Sequence, residues 1–490
     1  MNQAREEHGA VEELRLHIGG RWVESESGAV FDATDPSNGR RIATLAEGTR
    51  EDARSAVAAA RDGHARIASM STWERSHLLQ RVADVMESRQ EHLARTLSED
   101  QGKPMWSEAM FEVSKAIEGF RNAAEHVKWL EGETIRAEDR NKRVFTIYQP
   151  RGVYAVVTPW NFPMNIPVEY LAPGLAAGNA IVWVPAPTTS VCAVRLMECM
   201  IEAGVPEGAV NLLTGPGAVV GDEIVGHPDV DAVGFTGSAA TGVHIARRAA
   251  GKPCLLEMGG NGPVIVLDDA DIDAALAATV SGSFANAGQI CSSSERVLVG
   301  AGIYDAFVER AAVAAGEIRL GDPRDRAVTM GPLNNPAVAK KVADHVEDSV
   351  RRGASVIFGG HARSDLGSDL YFEPTVLRDV SVDSQMNLEE TFGPVVPLIR
   401  AGSDEEILAI ANRNTYGLVA SVFTQNLKRA FYFAEGIKAG NVNVNDTSTY
   451  WELHIPFGGA SGKSSGVGRV GGKYALRAMS DLKTISIDVG

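Results

Sequence analysis

Short apolar runs alternate with helical patterns along most of the chain. Residues 51–65 place alanines and Val57 on one face, which predicts a helix. Continuous apolar runs bounded by glycine, proline or acidic residues predict strands, and they cover residues 152–158, 179–184, 230–235 and 264–267. Because strands without polar alternation are buried on both faces, the sequence predicts an α/β protein built on parallel sheet.

Two other segments alternate polar and apolar residues, as antiparallel strands with one exposed face do. They are residues 140–148 (RNKRVFTIY) and residues 482–488 (LKTISID). Such strands pair either between subunits or as a simple edge hairpin, and the pattern alone leaves both interpretations open.

The longest run without a charge, residues 170–194, has the length of a membrane span. Three prolines (Pro173, Pro185 and Pro187) and several glycines interrupt it, which favours a buried strand–turn–helix passage and no membrane segment. Residues 1–13 are polar and lack the apolar core of a signal peptide. We therefore expect a cytoplasmic protein.

Composition excludes several other classes. A chain of 490 residues predicts two or three domains. The net charge of −16 and the lack of a basic stripe argue against nucleic-acid binding. The four cysteines include no CxxC pair and the 11 histidines no HExxH, so no metal site is expected and the thiols resemble those of a reduced cytosolic protein.

Two residues are candidates for covalent and acid–base chemistry. Cys291 follows Gly288 in FANAGQICSSSERV, and a thiol is a strong nucleophile near neutral pH because a fraction of it is thiolate. Glu257 ends an apolar run in LLEMGGNGP, where apolar surroundings raise the pKa of a carboxyl group towards that of a useful base. Each has an ordinary alternative, an inert buried cysteine and a strand-end glutamate in an ion pair.

Three further segments surround this pair in the sequence. Asn161 follows a strand end in VTPWNFPMNIP, where its carboxamide is placed to donate to an oxyanion, although alone it is a turn asparagine. The sequence VGFTGSAATG, residues 233–242, has the strand, glycine turn and helix start that suit a phosphate. GPGAVVG, residues 215–221, resembles a dinucleotide-binding glycine loop with one extra residue, and either glycine run alone is weak evidence.

Together these motifs resemble the aldehyde dehydrogenase superfamily over about residues 18–486. Glu257 and Cys291 are separated by 34 positions, as that family has them. Further motifs agree, namely LEETFGPV (residues 388–395), NVN near Asn445, PFGG (456–459) and SGVGR (465–469). The resemblance implies an NAD(P)-dependent aldehyde dehydrogenase with a Rossmann-type cofactor domain, an α/β catalytic domain and a small β oligomerisation element.

The resemblance also implies roles for single residues. Cys291 would attack the aldehyde, Asn161 and the Cys291 backbone N–H would hold the oxyanion, and Glu257 would activate water against the thioester. Glu390 would bind the nicotinamide ribose, with Phe392 beside the ring. The expected cofactor contacts are Thr158, Pro159, Trp160, Val184, Gly217, Gly221, Phe235, Thr236, Gly237, Ser238, Met258, Glu390 and Phe392. The expected substrate lining, which suggests a mid-sized aldehyde, is Phe162, Asn165, Ile290, Ser292, Trp451, His454 and Phe457.

Three departures from the family pattern bear on specificity. Val184 stands where the family usually has a lysine for the adenosine ribose, and Pro187 where NAD-preferring members have a glutamate. The cofactor is therefore NAD or NADP, with a slight preference for NAD because the loop has no basic residue for a phosphate. Tyr170 replaces a lysine near the base, either as packing or as part of a different proton relay. The last departure is the lengthened loop GGASGKSSG, residues 458–466.

Two other functions compete with the hydrolytic dehydrogenase. A coenzyme A-acylating enzyme is disfavoured because Glu257 is retained, and a non-catalytic paralogue because every chemical position is intact. We expect a cofactor domain at residues 1–127 and 151–259 and a catalytic domain at 260–458. An oligomerisation element with the C-terminal tail would take residues 128–150 and 459–490, in a homodimer or homotetramer.

Overall fold

The computed structural model describes residues 11–490. Most of the polar N-terminal segment, residues 1–10, therefore lies outside the described residues. The strands are β1 (Glu12–Leu14), β2 (Leu16–Ile18), β3 (Arg21–Val23), β4 (Val30–Thr34), β5 (Arg41–Ala46), β6 (Thr134–Ile135), β7 (Lys142–Pro150), β8 (Val153–Val157), β9 (Ala180–Val184), β10 (Val210–Leu212), β11 (Ala232–Gly237), β12 (Cys254–Met258), β13 (Pro263–Val266), β14 (Arg296–Gly300), β15 (Ser355–Phe358), β16 (Thr375–Arg378), β17 (Val395–Ala401), β18 (Val419–Phe423), β19 (Asn441–Val444), β20 (Gly466–Val467) and β21 (Ser480–Asp488).

Helices separate most of these strands. They are α1 (Arg50–Ser69), α2 (Thr72–Ser88), α3 (Gln90–Gln101), α4 (Met110–His126), α5 (Asn165–Ala177), α6 (Ser190–Glu202), α7 (Asp222–Gly226), α8 (Ala239–Arg248), α9 (Ile272–Phe284), α10 (Tyr304–Gly316), α11 (Pro336–Arg351), α12 (Gln385–Leu388), α13 (Asp404–Asn412), α14 (Leu427–Gly436) and α15 (Gly472–Ala478). The predicted helix at 51–65 is confirmed within α1.

An eight-stranded sheet forms the first layer, in the order β20-β12-β11-β8-β9-β10-β2-β3. Its central strands β12, β11, β8, β9 and β10 are parallel, so their carboxyl ends meet at one edge. Apolar side chains cover both faces, which is why these strands have continuous apolar sequences. The predicted α/β fold with parallel sheet is confirmed, and the observed strands lie within two residues of the predicted ones.

A seven-stranded sheet carries the second half of the fold, in the order β15-β16-β17-β14-β13-β18-β19. The six neighbouring strands β16, β17, β14, β13, β18 and β19 run parallel to one another, and β15 pairs with β16 antiparallel at one edge. A second apolar core packs around it. The two large sheets use different parts of the chain, except that β20 near the C-terminus joins the first sheet beside β12.

The two alternating segments pair with each other within one chain. Strand β21 is antiparallel to β7, from Ser480 opposite Pro150 to Asp488 opposite Lys142, and β6 follows on the other side. They do not form a hairpin with each other, because 329 residues separate contacting partners such as Arg151 and Ser480, and pairing between subunits stays a prediction.

The interpretation of residues 170–194 as a strand–turn–helix passage was wrong at its start. Tyr170 lies inside α5, which precedes β9, and the strand is followed by a turn and α6. Helix α5 is buried nearly all round and contains Pro173, so its sequence has no amphipathic period by which to recognise it. No helix among residues 11–490 is long and apolar enough to cross a membrane.

Candidate active site

Cys291 and Glu257 lie in the wall of one cavity of about 420 Å³. Glu257 is on β12 of the first sheet, whereas Cys291 lies in the turn before β14 of the second sheet. Two strands that are distant in the chain therefore bring the predicted base and the predicted nucleophile to one space. Asn161, in the loop between β8 and α5, contacts the segment just before Cys291 through Gln289.

The turn that carries Cys291 is tightly built. Asn286 and Ala287 have left-handed φ angles of 49° and 54°, and they redirect the chain after α9. A Cβ atom added at Gly260 would lie 2.1 Å from the Cys291 carbonyl oxygen, so only glycine allows this approach. Burial raises the pKa of the Cys291 thiol, and three carboxylates (Glu390, Glu257 and Glu169) raise it further. The thiol therefore needs a nearby base or positive charge to ionise.

Glu257 has the opposite surroundings to a glutamate in an ion pair. Its side chain is buried, and within the described chain neither carboxyl oxygen has a hydrogen-bond partner. Burial raises its pKa well above the usual value, the neighbouring Glu169 raises it further, and Arg469 acts in the other direction. Once it is ionised, a carboxyl group with a raised pKa is a base that can take a proton from water.

Asn161 is held in place through both its side-chain amide and its backbone carbonyl. Its side-chain Nδ2 donates to the Gln289 carbonyl at 3.0 Å. Its own carbonyl accepts from Lys103 Nζ and from Asn286 Nδ2, each at 3.0 Å. Since one amide hydrogen is bound to Gln289, the second is left for an oxyanion beside Cys291.

A buried ion pair supports the Asn161 loop, and our sequence analysis missed it. Lys103 Nζ lies 2.5 Å from Glu112, and the two side chains are 1% and 0% exposed. Glu112 also accepts the backbone N–H of Met164 at 2.8 Å. Lys103 and Glu112 look like ordinary charged helix residues in the sequence, because only the long-range contact with the loop gives them this role.

The predicted cofactor residues gather at the carboxyl ends of the parallel strands of the first sheet. Thr158 follows β8, where its hydroxyl accepts from Trp183 Nε1 at 2.9 Å and its N–H donates to Val184 at 3.0 Å. Phe235, Thr236, Gly237, Ser238 and Met258 end β11 and β12 or follow them, and Pro159 and Trp160 follow Thr158. This edge of a parallel sheet is where dinucleotides bind.

The two glycine segments have different structures. Ser238 caps the N-terminus of α8, and its hydroxyl accepts the Thr241 N–H at 3.3 Å, as the strand, turn and helix pattern predicts. GPGAVVG connects strand β10 to helix α7, and within it Gly217–Gly221 form a π-helical turn instead of an open loop. A Cβ at Gly217 would meet nothing within 4 Å, so this surface is open beside the strand ends.

A second set of predicted cofactor residues approaches from the other sheet. Glu390 accepts the Gly260 N–H at 2.9 Å, and burial raises its pKa to about 6. Phe392 has a left-handed φ of 62° and meets Trp160 edge to face, with ring centroids 5.5 Å apart. Glu295, which the sequence analysis did not single out, fixes this turn by accepting the N–H groups of Thr391 and Phe392 at 2.8 Å each.

These residues fit a nicotinamide dinucleotide. The N-terminus of α8 and the open glycine turn suit a pyrophosphate, and Glu390 is a carboxylate acceptor for ribose hydroxyls. Trp160 and Phe392 offer an aromatic surface through their edge-to-face pair. Among residues 11–490 no group of three or more His, Cys, Asp or Glu side chains is arranged to hold a metal ion.

Most of the predicted substrate residues line the cavity with Cys291. They are Phe162, Asn165, Ile290, Ser292, Trp451 and Phe457. His454 is not among the lining residues; its side chain is 57% exposed, with Nδ1 3.6 Å from Glu452. The prediction followed the motif and not the path of the loop, which turns His454 outward. Glu169, missed as a site residue, lines the same cavity.

Tyr170 is not part of the cavity wall. It is buried, its ring packs against Gly234, and its hydroxyl donates to the Phe235 carbonyl at 2.8 Å. These contacts favour the interpretation of Tyr170 as packing at the end of β11.

The lengthened loop at residues 458–466 braces the strand that carries Glu257. Ser465 donates through its hydroxyl to the Gly259 carbonyl at 2.8 Å, and β20 then pairs with Leu256 and Glu257. Lys463 Nζ donates to the Asn414 carbonyl at 2.5 Å, which ties the loop to the second sheet. The loop therefore fixes the backbone of the predicted base.

Comparisons with known proteins agree with this geometry. The sequence model of the aldehyde dehydrogenase family matches residues 22–485. The NADP(+) succinate-semialdehyde dehydrogenase GabD of Escherichia coli K12 is 37% identical, over 96% of this chain and 97% of its own. Among solved structures, succinate-semialdehyde dehydrogenase from Burkholderia pseudomallei has a TM-score of 0.95, 35% identity, and coverage of 99% and 100%. A point mutant of betaine aldehyde dehydrogenase from Staphylococcus aureus, in complex with NAD+, has a TM-score of 0.94, 33% identity, and coverage of 97% and 98%.

Proposed function

Since the chain belongs to the aldehyde dehydrogenase family and oxidises aldehydes to carboxylic acids with NAD(P)+, we propose that Cys291, Glu257 and Asn161 perform this reaction. The observation that carries the proposal is the shared cavity, in which the thiol of Cys291 and the unpartnered carboxyl of Glu257 meet. The relatives give no support to a coenzyme A-acylating enzyme. An acylating enzyme would also have no use for Glu257 as a base towards water.

The first half of the reaction is covalent attack. Cys291 gives up its proton to water in the cavity, and its sulfur bonds to the aldehyde carbon while the carbonyl π electrons move to the oxygen, which gives the thiohemiacetal oxyanion. The free Nδ2 hydrogen of Asn161 and the Cys291 N–H stabilise the oxyanion. The nicotinamide, when bound, supplies the acceptor for the hydride, and the residues that would hold it are Glu390, Phe392, Trp160 and Ser238. Loss of the hydride leaves a thioester on Cys291.

The second half is hydrolysis of this thioester. Glu257 takes a proton from water, and the water oxygen bonds to the acyl carbon as the bond to the Cys291 sulfur breaks. The products are the carboxylic acid and the free thiol. The two steps share the Asn161 amide, because a tetrahedral oxyanion forms in both of them.

We also propose that NAD is preferred to NADP. Val184 is buried at the end of β9, and the segment after it, residues 185–189, contains no basic side chain to meet a 2′-phosphate. The relatives divide on this point, since GabD is named for NADP(+) and the Staphylococcus aureus enzyme was solved with NAD+. The ratio of kcat/KM with NAD to that with NADP tests the proposal, and a ratio below one contradicts it.

A cytoplasmic homo-oligomer remains part of the proposal. All four cysteines are free thiols, in keeping with a reducing compartment. Strand β21 forms an edge of the small sheet and exposes Leu482 and Ile487, an apolar surface suited to a second copy. Light scattering of the purified protein measures the assembly, and a monomer at micromolar concentration would contradict it.

A panel of aldehydes with NAD or NADP, with and without coenzyme A, tests the reaction. Reduced nicotinamide should form without coenzyme A. Cys291→Ala should lower turnover by at least ~10³-fold, because the covalent route is lost. Activity that survives Cys291→Ala would overturn the assignment of the nucleophile. Absence of turnover with every aldehyde would overturn the proposed reaction.

A further inference from the structure

Glu169 is a partly buried carboxyl group whose position no step of the proposed reaction uses. It lies on α5, one turn after Asn165, and it lines the cavity together with Cys291, Glu257 and Trp451. A smaller neighbouring cavity is also lined by Glu169, Asn165 and Trp451, so Glu169 faces open space on two sides. A carboxyl group in such a position is placed to contact whatever occupies the cavity.

Glu169 has no cation to balance it. Its only side-chain hydrogen bond in the described chain is from Asn165 Nδ2 at 3.2 Å, and it takes part in no ion pair. Burial raises its pKa to about 8, the direction expected for a carboxyl group without a positive neighbour. The Asn165 Oδ1 atom beside it is buried and has no hydrogen-bond partner in that part of the structure. The Glu169 carboxyl group and Asn165 Oδ1 are therefore two neighbouring acceptors, and Asn165 Nδ2 is the side-chain donor that they have among the described residues.

The lysines of the cavity do not change this balance. Lys103 is neutralised by Glu112 at 2.5 Å, and Lys115 pairs with Glu118 at 2.8 Å. No arginine is among the described residues that line the cavity. The negative charge of Glu169 is felt at the other groups of the cavity, because it raises the pKa of both Glu257 and Cys291. The interior of the cavity is therefore acidic when these groups ionise.

Aromatic rings complete the surroundings of Glu169. Trp451 and Phe457 line the same cavity with their centroids 5.3 Å apart, whereas Lys103 Nζ already lies over the ring of Phe162, 3.9 Å from its centroid. A carboxylate beside aromatic faces attracts an alkylammonium group by charge and by cation–π contact. The same arrangement repels a carboxylate, because it offers no donor cation.

From this arrangement we infer that the enzyme prefers aldehydes that carry a positively charged amine, and that Glu169 is the residue that recognises the charge. The inference rests on the proposed function, because the cation would lie in the cavity that holds Cys291. Binding would favour the ionised form of Glu169, since an opposite charge stabilises the carboxylate. Several relatives are named for anionic aldehydes, such as succinate and glutarate semialdehyde, whereas betaine aldehyde is cationic, so the inference departs from the substrates of those relatives.

Isosteric pairs of aldehydes test the inference. One pair is β-aminopropionaldehyde and butanal, and a second is its trimethylammonium derivative and the neutral tert-butyl isostere. The readout is the ratio of kcat/KM for the charged aldehyde to that for its neutral isostere, in which general effects on catalysis cancel. We expect this ratio to be roughly 10 to 100 in the wild type for at least one pair. The kcat/KM for succinate semialdehyde should be lower than that for either aldehyde of that pair.

Glu169→Gln should bring the ratio close to one, because the amide keeps the shape and removes the charge. Glu125→Gln is the matched control, since it makes the same chemical change on α4 and neither Glu125 nor its partner Lys128 lines the cavity, and it should keep the wild-type ratio. A wild-type ratio near one for both pairs, a preference for succinate semialdehyde, or an unchanged ratio in Glu169→Gln would overturn the inference. The wild-type ratios need no variant, so poor folding of Glu169→Gln leaves the test intact.

Different results would contradict the inference about Glu169 and the proposed oxidation of aldehydes. If neutral aldehydes are oxidised and the charged ones have no advantage, the inference about Glu169 is wrong and the proposed function stands. If no aldehyde of either kind reduces NAD or NADP, the proposed function is wrong, and the inference falls with it.

Discussion

The Asn161 loop and the Glu169–Glu257 pair face the same region, but their hydrogen bonding differs. The Asn161 loop is satisfied by the Lys103–Glu112 pair and by Asn286, with distances between 2.5 and 3.0 Å. Glu257 has no partner in the described chain, and Glu169 has a single amide. A satisfied network fixes a donor before the reaction begins, whereas an unpartnered carboxyl group can exchange protons. Substitutions should therefore affect the two regions in different ways.

Glu257→Gln should give the largest effect on catalysis. The thiol can still attack and the hydride can still leave, but no base activates water against the thioester. We expect steady-state turnover to fall by ~10²- to 10⁴-fold while a burst of about one reduced nicotinamide per subunit remains. Rapid-mixing absorbance measures the burst. Cys291→Ala, which should show no burst, is the control, and loss of the burst in Glu257→Gln would mean that Glu257 acts before the thioester.

Lys103→Met should give the largest effect on stability. It leaves Glu112 buried without its cation, and removal of one member of a buried pair costs about 3–5 kcal/mol. Denaturant unfolding of the folded enzyme measures the change in free energy. Lys115→Met is the matched control, because its pair with Glu118 is partly exposed and contributes about 0.5 kcal/mol. Equal losses in the two variants would contradict the supporting role of Lys103.

The pH dependence of hydrolysis should report on the carboxyl pair. Glu257 must be deprotonated to act as a base, and burial and Glu169 raise its pKa, so the rate should increase as the pH rises through that raised pKa. Glu169→Gln removes a negative neighbour and lowers the pKa of Glu257. The rising limb should then move to lower pH by about one pH unit. Single-turnover hydrolysis measured from about pH 6 to about pH 10 tests this across the usual range of raised carboxyl pKa values, and an unmoved limb would show that the two carboxyl groups are not coupled.

Tyr170→Phe should give the smallest effect. It removes two hydrogen bonds of the hydroxyl, one to the Phe235 carbonyl and one with the Thr236 hydroxyl, each at 2.8 Å, and the net loss is about 1–2 kcal/mol. Tyr154→Phe is the control, since its hydroxyl contacts the Ala478 carbonyl at a longer 3.4 Å and should contribute less. Thermal unfolding compares the two. A large loss of turnover with normal stability in Tyr170→Phe would instead place this hydroxyl in a proton relay.

Much of the site could be predicted from sequence because its parts are local. Glu257, Asn161 and Ser238 each occupy a short motif at the end of an apolar run, and parallel strands bring such ends to one edge, whereas Cys291 stands in its own motif of small residues before β14. The α/β class and the strand positions followed from the same apolar runs. What these motifs do not encode is the direction of a side chain in an irregular loop, and His454 was misplaced for that reason.

Only the tertiary structure decided which charges are paired. Lys103 and Asn161 are 58 residues apart, and Glu295 and Thr391 are 96 apart. The sequence around each of these residues does not predict its distant partner. Glu112 is paired with a lysine, whereas Glu169 has no ion-pair partner among the described residues, and this difference is a property of the fold and not of their neighbours in the chain. The sequence by itself determined the chemistry that the chain carries, because chemistry depends on residue types in short motifs. The fold determined the protonation and the charge of the cavity, because burial and long-range pairing set the pKa of each group.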